Sequence, residues 1–433
     1  MDTLLSRMAH LVLPRVEILL PNGTSLVGKG RIYWSGGDFP LLSAITDKLP
    51  GWETWIHGRR IIGSTDNGSK VEINCIGKDW KVISSGECID WELPCEEVTV
   101  RWDLNELPPK LQPEGCQLSG VFDPWPLGVA GRKSIVRDDN PAFGKERGAL
   151  DWGQITVNGI NFSFREVGDA CHFRLRASDT ETIWKTFEAI RAGLSFLFGC
   201  RVRLRGWGQM VGPNVESVLL GDRPRAMRRV YPPLDNGLWQ LRKDSTENDL
   251  RGFEQPFTLA SSFFLSPMGE KFRPLLQLAW DAADLTMESR LLTAAVVLEG
   301  LVREVETCSR TPLPFSNEVL SHIKNLTADE TVLARWQGLV NGSQQLHVPT
   351  VLRQWASNGR YQATEEECKA FKTRRNPLAH GSSLKDTDDT AKRDLSFLMN
   401  LINKVVLTQM GYRGPFADYS GNRDYNQSCP IML

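Results

Sequence analysis

Two hydrophobic rhythms run along the chain. Through roughly the first half apolar residues recur at every second position, the period of a half-buried strand; beyond about residue 250 they recur every three to four, the period of a helix face. In the first half, alternation predicts strands over 16–20 and 24–34, flanking Pro21-Asn22-Gly23. Further strands are expected over 55–62, 70–75, 80–84 and 98–102. From 107 to 148 proline and glycine recur without periodicity, which predicts a long surface loop. Residues 154–157 and 160–165 alternate again around Asn158-Gly159, a strong hairpin signal. In the strand expected over 171–177, Cys171, Phe173, Leu175 and Ala177 share one face and His172, Arg174 and Arg176 the other.

A helix should open at Ser178, paired with Glu181 in a capping box, and close at Gly199. Its apolar stripe is Ile183, Phe187, Ile190, Leu194 and Leu197. Arg201, Arg203 and Arg205 then alternate with Val202 and Leu204, predicting another strand, and 232–248 reads as a linker. Helices follow over 273–285, 288–306, 316–326, 328–341 and 348–356. Thr364 with Glu367 forms a second capping box, opening a helix that carries Cys368 and Phe371. The last helix aligns Leu395, Leu398, Ile402, Val405, Val406 and Met410; from Tyr412 the polar, glycine-bearing sequence predicts a loose tail. The fold class is therefore α+β and multidomain: a β-rich N-terminal half over 1–240, divisible near 110–150, an all-α bundle over 250–411, and a tail over 412–433.

Composition narrows the function classes. With 51 Lys+Arg against 52 Asp+Glu the net charge is −1, so a nucleic-acid or membrane partner must be met by a local patch. The nine cysteines are dispersed with no C-x-x-C pair, which argues for reduced thiols and against a disulfide framework or a zinc site. The most apolar stretch, 291–302, contains Glu299 and is shorter than the roughly 20 residues a bilayer requires, so no membrane association and a cytoplasmic location are expected. Walker-type, H-E-x-x-H and G-x-S-x-G motifs are absent, and no two of the six histidines lie within five positions of each other.

One segment stands out: Arg374-Arg375-Asn376-Pro377-Leu378-Ala379-His380-Gly381. At helical spacing Cys368, Phe371, Arg375 and Leu378 form one stripe, with Arg374 about 100° away. An arginine on an apolar face needs an anion or an acid. Asn376-Pro377 should interrupt the helix and set His380-Gly381 on a bend. Spacing alone carries little weight, since an Arg-to-His separation of this kind recurs between Arg165 and His172.

The whole motif, late in a helical region, resembles the Arg-Asn-x-x-Ala-His-Gly signature of HEPN domains, especially the Apea-like branch, and the resemblance covers about 260–411. That branch tends to carry an acidic residue in an apolar helix 70–80 residues upstream, as in Val297-Leu298-Glu299-Gly300-Leu301-Val302. The N-terminal half looks like the β-rich regions that precede such domains in phage-defence proteins. The resemblance implies an all-α HEPN bundle and a regulated, metal-independent endoribonuclease, with no cofactor and no metal. It further implies a homodimer or higher homo-oligomer with a composite R-x4-H site, an RNA substrate, and a phage protein or other infection-derived trigger. His380 can act as general base or acid near neutral pH, and Arg375 can stabilise the charge that builds on a scissile phosphate. Asn376 can position a phosphate oxygen or simply stop the helix; Glu299 can orient Arg375 or be a solvated glutamate.

For RNA binding the candidates are Arg374 and Lys372, with Arg201, Arg203 and Arg205. Seven arginines fall over 201–229 against Glu216 and Asp222, and Arg174 and Arg176 add to them if their strand is adjacent. A solvated sheet face paired with acids from elsewhere is the competing reading of those arginines. For the chain as a whole, the alternative is a non-catalytic nucleotide- or partner-binding scaffold.

Overall fold

The computed structural model describes residues 10–19, 25–33, 40–47, 60–66, 68–75, 81–85, 88–103, 116–122, 152–167, 170–211, 214–220, 231–233, 251–309, 321–322, 325, 348–357, 363–379, 388–417, 419 and 429–430. The Pro21-Asn22-Gly23 turn, most of the 232–248 linker, the helix expected over 328–341 and nearly all of that over 316–326 lie outside these residues. The protein is α+β, with strands in the N-terminal half and helices in the C-terminal part. It divides into two compact units: Met1–Ser195, Val202–Met227 and Trp239–Ser262 form one, and Phe196–Arg201, Arg228–Leu238 and Phe263–Leu433 the other.

The first unit holds a 13-stranded sheet in which every recorded pairing is antiparallel. Its strands are β1 (His10–Leu19), β2 (Ser25–Tyr33), β3 (Leu41–Asp47), β4 (Arg60–Ser64), β5 (Lys70–Cys75), β6 (Lys81–Ser85) and β7 (Cys88–Asp103). They continue as β8 (Cys116–Phe122), β9 (Trp152–Val157), β10 (Ile160–Val167), β11 (Ala170–Ala177), β12 (Leu204–Val211) and β13 (Asn214–Leu220). Pairings β1–β2, β2–β3, β3–β7, β7–β5, β5–β4 and β4–β1 close on themselves. Inside that ring sits an apolar cluster that includes Leu13, Val16, Leu26, Ile32, Leu42, Val71, Ile73 and Val100. β1 begins earlier than expected because its inward set shifts from Leu11 and Leu13 to Val16 and Ile18 across a register shift at Pro14, which breaks the alternation.

β7 also carries β13, from which an open arm runs β12-β8-β11-β10-β9. The middle of this arm corrects the expected 107–148 loop: β8 lies between β12 and β11 and is buried along its whole length. A strand covered on both faces has no need to alternate, so it shows no period. Gly120 is required there, because a Cβ would stand 2.6 Å from the Phe173 ring and 2.7 Å from the Gly206 carbonyl. The β9–β10 hairpin turns through Asn158 (φ 48°) and Gly159 (φ 80°), the left-handed pair that such a turn demands. Helix α1 (Thr180–Phe198) presses Phe187 onto Phe173 and Phe122, with ring centroids 5.2 and 5.9 Å away. Its cap is Asp179 rather than Ser178: Thr182 donates its backbone N–H to Asp179 Oδ1 at 2.8 Å and its hydroxyl to Oδ2 at 2.8 Å. These bonds, with a third from the Ser178 hydroxyl, hold the Asp179 carboxyl below its usual range.

The helices that follow are α2 (Arg251–Leu265), α3 (Pro267–Asp281), α4 (Met287–Ser309), α5 (Val348–Ser357), α6 (Glu365–Ala379) and α7 (Asp388–Gln409). α2 falls within the stretch expected to be helical, although the spacing delimits no helix there because Pro256 interrupts its pattern. In the second unit α4 packs against α3, α5, α6 and α7, and α6 touches α4, α5 and α7. Leu291, Ala295, Leu298 and Val302 of α4 and the expected apolar face of α7 are buried. The loose tail is also corrected over 412–417 and at 419. Gly411 (φ 69°) ends α7, Tyr412 and Phe416 are buried, and Tyr419 donates its backbone N–H to Asn400 Oδ1 at 3.3 Å. The Tyr419 hydroxyl donates to the Pro232 carbonyl at 2.7 Å, and residues 415–416 pair with 429–430. No helix among the described residues is long and apolar enough to cross a membrane.

Candidate functional site

α6 carries the motif, and its first turn is built as a capping box. Thr364 donates its N–H to Glu367 Oε2 at 2.8 Å, and Thr364 Oγ1 accepts from the Glu367 N–H at 3.2 Å. Glu367 is itself fully buried, and its other oxygen accepts from Lys404 Nζ at 2.7 Å and Asn400 Nδ2 at 3.0 Å, both on α7. The capping residue thus also ties α6 to its neighbour.

Two turns further the adjacent arginines separate. Arg374 is buried, its Nε donating to Asp394 Oδ2 of α7 at 2.7 Å. Arg375 turns instead to α4, where its Nε donates to Glu299 Oε2 at 2.9 Å. The other Glu299 oxygen accepts from Arg303 Nη2 at 2.6 Å, an i,i+4 pair along α4. Helical spacing placed Arg375 alone on a buried stripe, but α6 has two. Glu367, Ala370, Phe371 and Arg374 are buried, with Glu367 and Arg374 bonded to α7, while the stripe through Cys368 and Phe371 leads to Arg375 and α4. The Arg375 side chain keeps 33% of its surface exposed and Glu299 17%, and beyond Nε no other hydrogen bond of Arg375 is formed among the described residues. Arg375 is therefore oriented by an acid yet open to solvent, whereas Arg374 is sealed in an ion pair and presents no guanidinium to a ligand.

The helix also differs from expectation at Pro377. α6 runs through Asn376-Pro377 and ends at Ala379. Proline removes the hydrogen bond that the Thr373 carbonyl would accept and crowds that carbonyl one turn back, yet the helix continues two residues beyond it. The side chains of Asn376 to Ala379, together with His380 and Gly381, lie outside the described residues.

Of the other candidates, Lys372 is exposed on α6. Arg201, Arg203 and Arg205 do not line one strand face. Residues 201–203 precede β12, Arg201 reaches Asp281 Oδ1 at 3.4 Å, Arg203 is half-buried, and Arg205 is buried. A face of alternating arginines requires a strand through all three, and the strand begins only at Leu204. Sequence reasoning missed Asp394 and Arg303. The Glu299-to-Arg303 spacing was a readable signal; the Arg374–Asp394 pair, across two helices, left none. No group of three or more His, Cys, Asp or Glu side chains is placed to hold a metal ion among the described residues. Comparison with family models, with curated proteins and with solved structures gives no match.

Proposed function

We propose that the helical region is a metal-independent, HEPN-type endoribonuclease that acts in anti-phage defence and works as a dimer with a composite site. The observation that carries this reading is the contrast between the neighbours Arg374 and Arg375. One is spent inside the fold, while the other is held by Glu299 with part of its guanidinium turned to solvent. Such an arginine suits a scissile phosphate, because its planar charge is permanent and already oriented. RNA carries its own nucleophile. The 2′-oxygen attacks phosphorus as a base takes its proton, the bond to the 5′-oxygen breaks, and an acid protonates the leaving oxygen. The products are a 2′,3′-cyclic phosphate and a 5′-hydroxyl. Two copies of His380, one from each subunit, supply the base and the acid, and the activity is restrained until an infection-derived trigger arrives.

The test is RNA cleavage in EDTA by the triggered protein, with product ends analysed. Wild type yields cyclic phosphate ends. His380→Ala lowers the rate by about 10²–10⁴-fold with the fold unchanged by circular dichroism. Arg375→Ala lowers it by about 10²–10³-fold. A His380→Ala protein that protects cells against phage as well as wild type does would instead make the region a scaffold.

A further inference from the structure

The outside of the ring has two sides that handle charge differently. On β5 and β7, and on β13 beside them, charge is paired where it stands. Arg101 lies between Glu72 and Glu216 at 3.2 and 3.3 Å, and Lys70 meets Glu72 at 2.9 Å. These strands expose no large hydrophobic side chain among the described residues. On β1, β2 and β3 the pattern is reversed. Val12 is 60% and Ile45 55% exposed, and Val27, Lys29 and Arg31 are exposed with them. The register sets Val12 opposite Arg31 and Lys29 opposite Ile45, so aliphatic side chains and cations interleave across the strands.

Lys29 stands between Gly28 and Gly30. A Cβ on the first would collide with the Ile45 carbonyl, and one on the second would lie 2.9 Å from the Ser43 carbonyl. β2 is pressed onto β3 there, and only the outward position between the two glycines carries a side chain. No ion pair or hydrogen bond reaches the Lys29 or Arg31 side chain among the described residues; Arg31 Cζ lies 5.8 Å from the Tyr33 ring centroid. The nearest acids are committed or stand off to the side. Glu92 accepts from the Tyr33 hydroxyl and Glu17 lies 3.8 Å from Arg15, while Asp47 is one residue beyond the Thr46–Gly28 pair and Asp90 is across Ile45 from Lys29.

We infer that the outer face of β1, β2 and β3 docks an acidic protein segment whose carboxylates are flanked by aliphatic side chains. Lys29 and Arg31 are about 7 Å apart, a spacing met by carboxylates two residues apart in a strand or four apart in a helix. Val12 and Ile45 stand ready to be covered by the apolar neighbours of those carboxylates. A phosphodiester strand would set charged oxygens against the same aliphatic side chains, and a second copy on this face would bring Lys29 and Arg31 against themselves. The inference does not rest on the nuclease reading.

The experiment is fluorescence anisotropy on the full chain with a labelled synthetic peptide of leucine and glutamate, over a range of salt. Wild type binds, and its affinity falls with salt. Lys29→Glu/Arg31→Glu weakens binding on the order of tenfold, and so does Val12→Ser/Ile45→Ser. Lys29→Arg and Arg101→Gln bind as wild type does. All these side chains are exposed, so urea midpoints should move little, and they are measured alongside to confirm it. A peptide with serine in place of leucine binds more weakly, and one with lysine in place of glutamate does not bind. Equal binding by wild type and either double variant overturns the inference, as does no binding by wild type at low salt. Equal binding of the serine peptide overturns it by removing the aliphatic half of the recognition. Binding of a labelled oligouridylate through Lys29 and Arg31 in preference to the peptide also overturns it and assigns the face to nucleic acid.

Discussion

The ring of strands and the helices around α6 fill their interiors with different chemistry. The ring's core is apolar and holds no buried charge among the described residues; the buried polar side chains of its strands, Thr46 and Thr99, are neutral. Around α6 the interior is ionic: Glu367 with Lys404, Arg374 with Asp394, and the partly open Arg375 with Glu299. Strands are held in register by their backbone ladder, so their inward side chains need only be apolar and of suitable size. Helices share no backbone hydrogen bonds with one another, and apolar contact alone leaves them free to slide or rotate. Three charged pins fix α6 against two partners. A buried pair adds little net stability, since desolvation offsets the attraction, but a mismatched one is costly, which favours a single arrangement.

The largest expected effect tests this contrast directly. Glu367→Ala leaves Lys404 buried without its carboxylate and costs about 3–5 kcal/mol in urea unfolding, whereas Glu367→Leu/Lys404→Met recovers most of the loss. A single variant within about 1 kcal/mol of wild type would mean that the ionic interior fixes nothing. Next comes the apolar side. In the arm of the sheet, Gly120→Ala drives a Cβ into the Phe173 ring and against the Gly206 carbonyl, and costs about 1–3 kcal/mol by the same measurement.

The smallest effect, absent at neutral pH, pairs one tyrosine from each unit. Tyr33 is pushed up to about 12 because its hydroxyl donates to Glu92 Oε1 at 2.5 Å, with burial adding to the shift. Tyr412 is pushed up to about 12 by burial alone. The folded state favours the protonated phenol, so the contribution is complete below the unfolded value of about 10 and is lost as pH rises from 10 towards 12. Unfolding midpoints should therefore fall across that window. Tyr412→Phe should flatten the fall at little cost at neutral pH, and Tyr33→Phe should also lose about 1 kcal/mol of hydrogen bonding.

What could be read from the chain depended on whether a residue's partner was local. The Asn158-Gly159 turn, the α1 stripe and the Thr364–Glu367 box are contained within a few residues, and all three are present. β8 was lost because burial on both faces erases alternation, and its Gly120 reads as a loop residue until Phe173 is brought across it. Asp179 and Ser178 are both good caps, and only geometry chooses between them. At the candidate site Glu299, Arg375 and the helix were legible; that α6 has two neighbours was not, and this assigns Arg374 to the interior. Pro377 does not stop α6, which continues two residues past it.

The central place of β8 also sets an order of events during synthesis. Its partners, β11 and β12, begin 48 and 82 residues after its last residue, Phe122. At 5–20 residues per second the ribosome takes roughly 2–10 s to deliver the first and 4–16 s to deliver the second. Until the first arrives an apolar strand waits with both edges unpaired, and until the second with one, a template for any other extended chain nearby. Strands β1 to β7, the ring among them, are complete before β8 emerges, whereas the arm closes only when residue 220 has left the tunnel. The protein therefore passes through a stage in which half its sheet is finished and the other half is its principal aggregation hazard. Its yield in a cell should be governed by the speed of translation between residues 122 and 220.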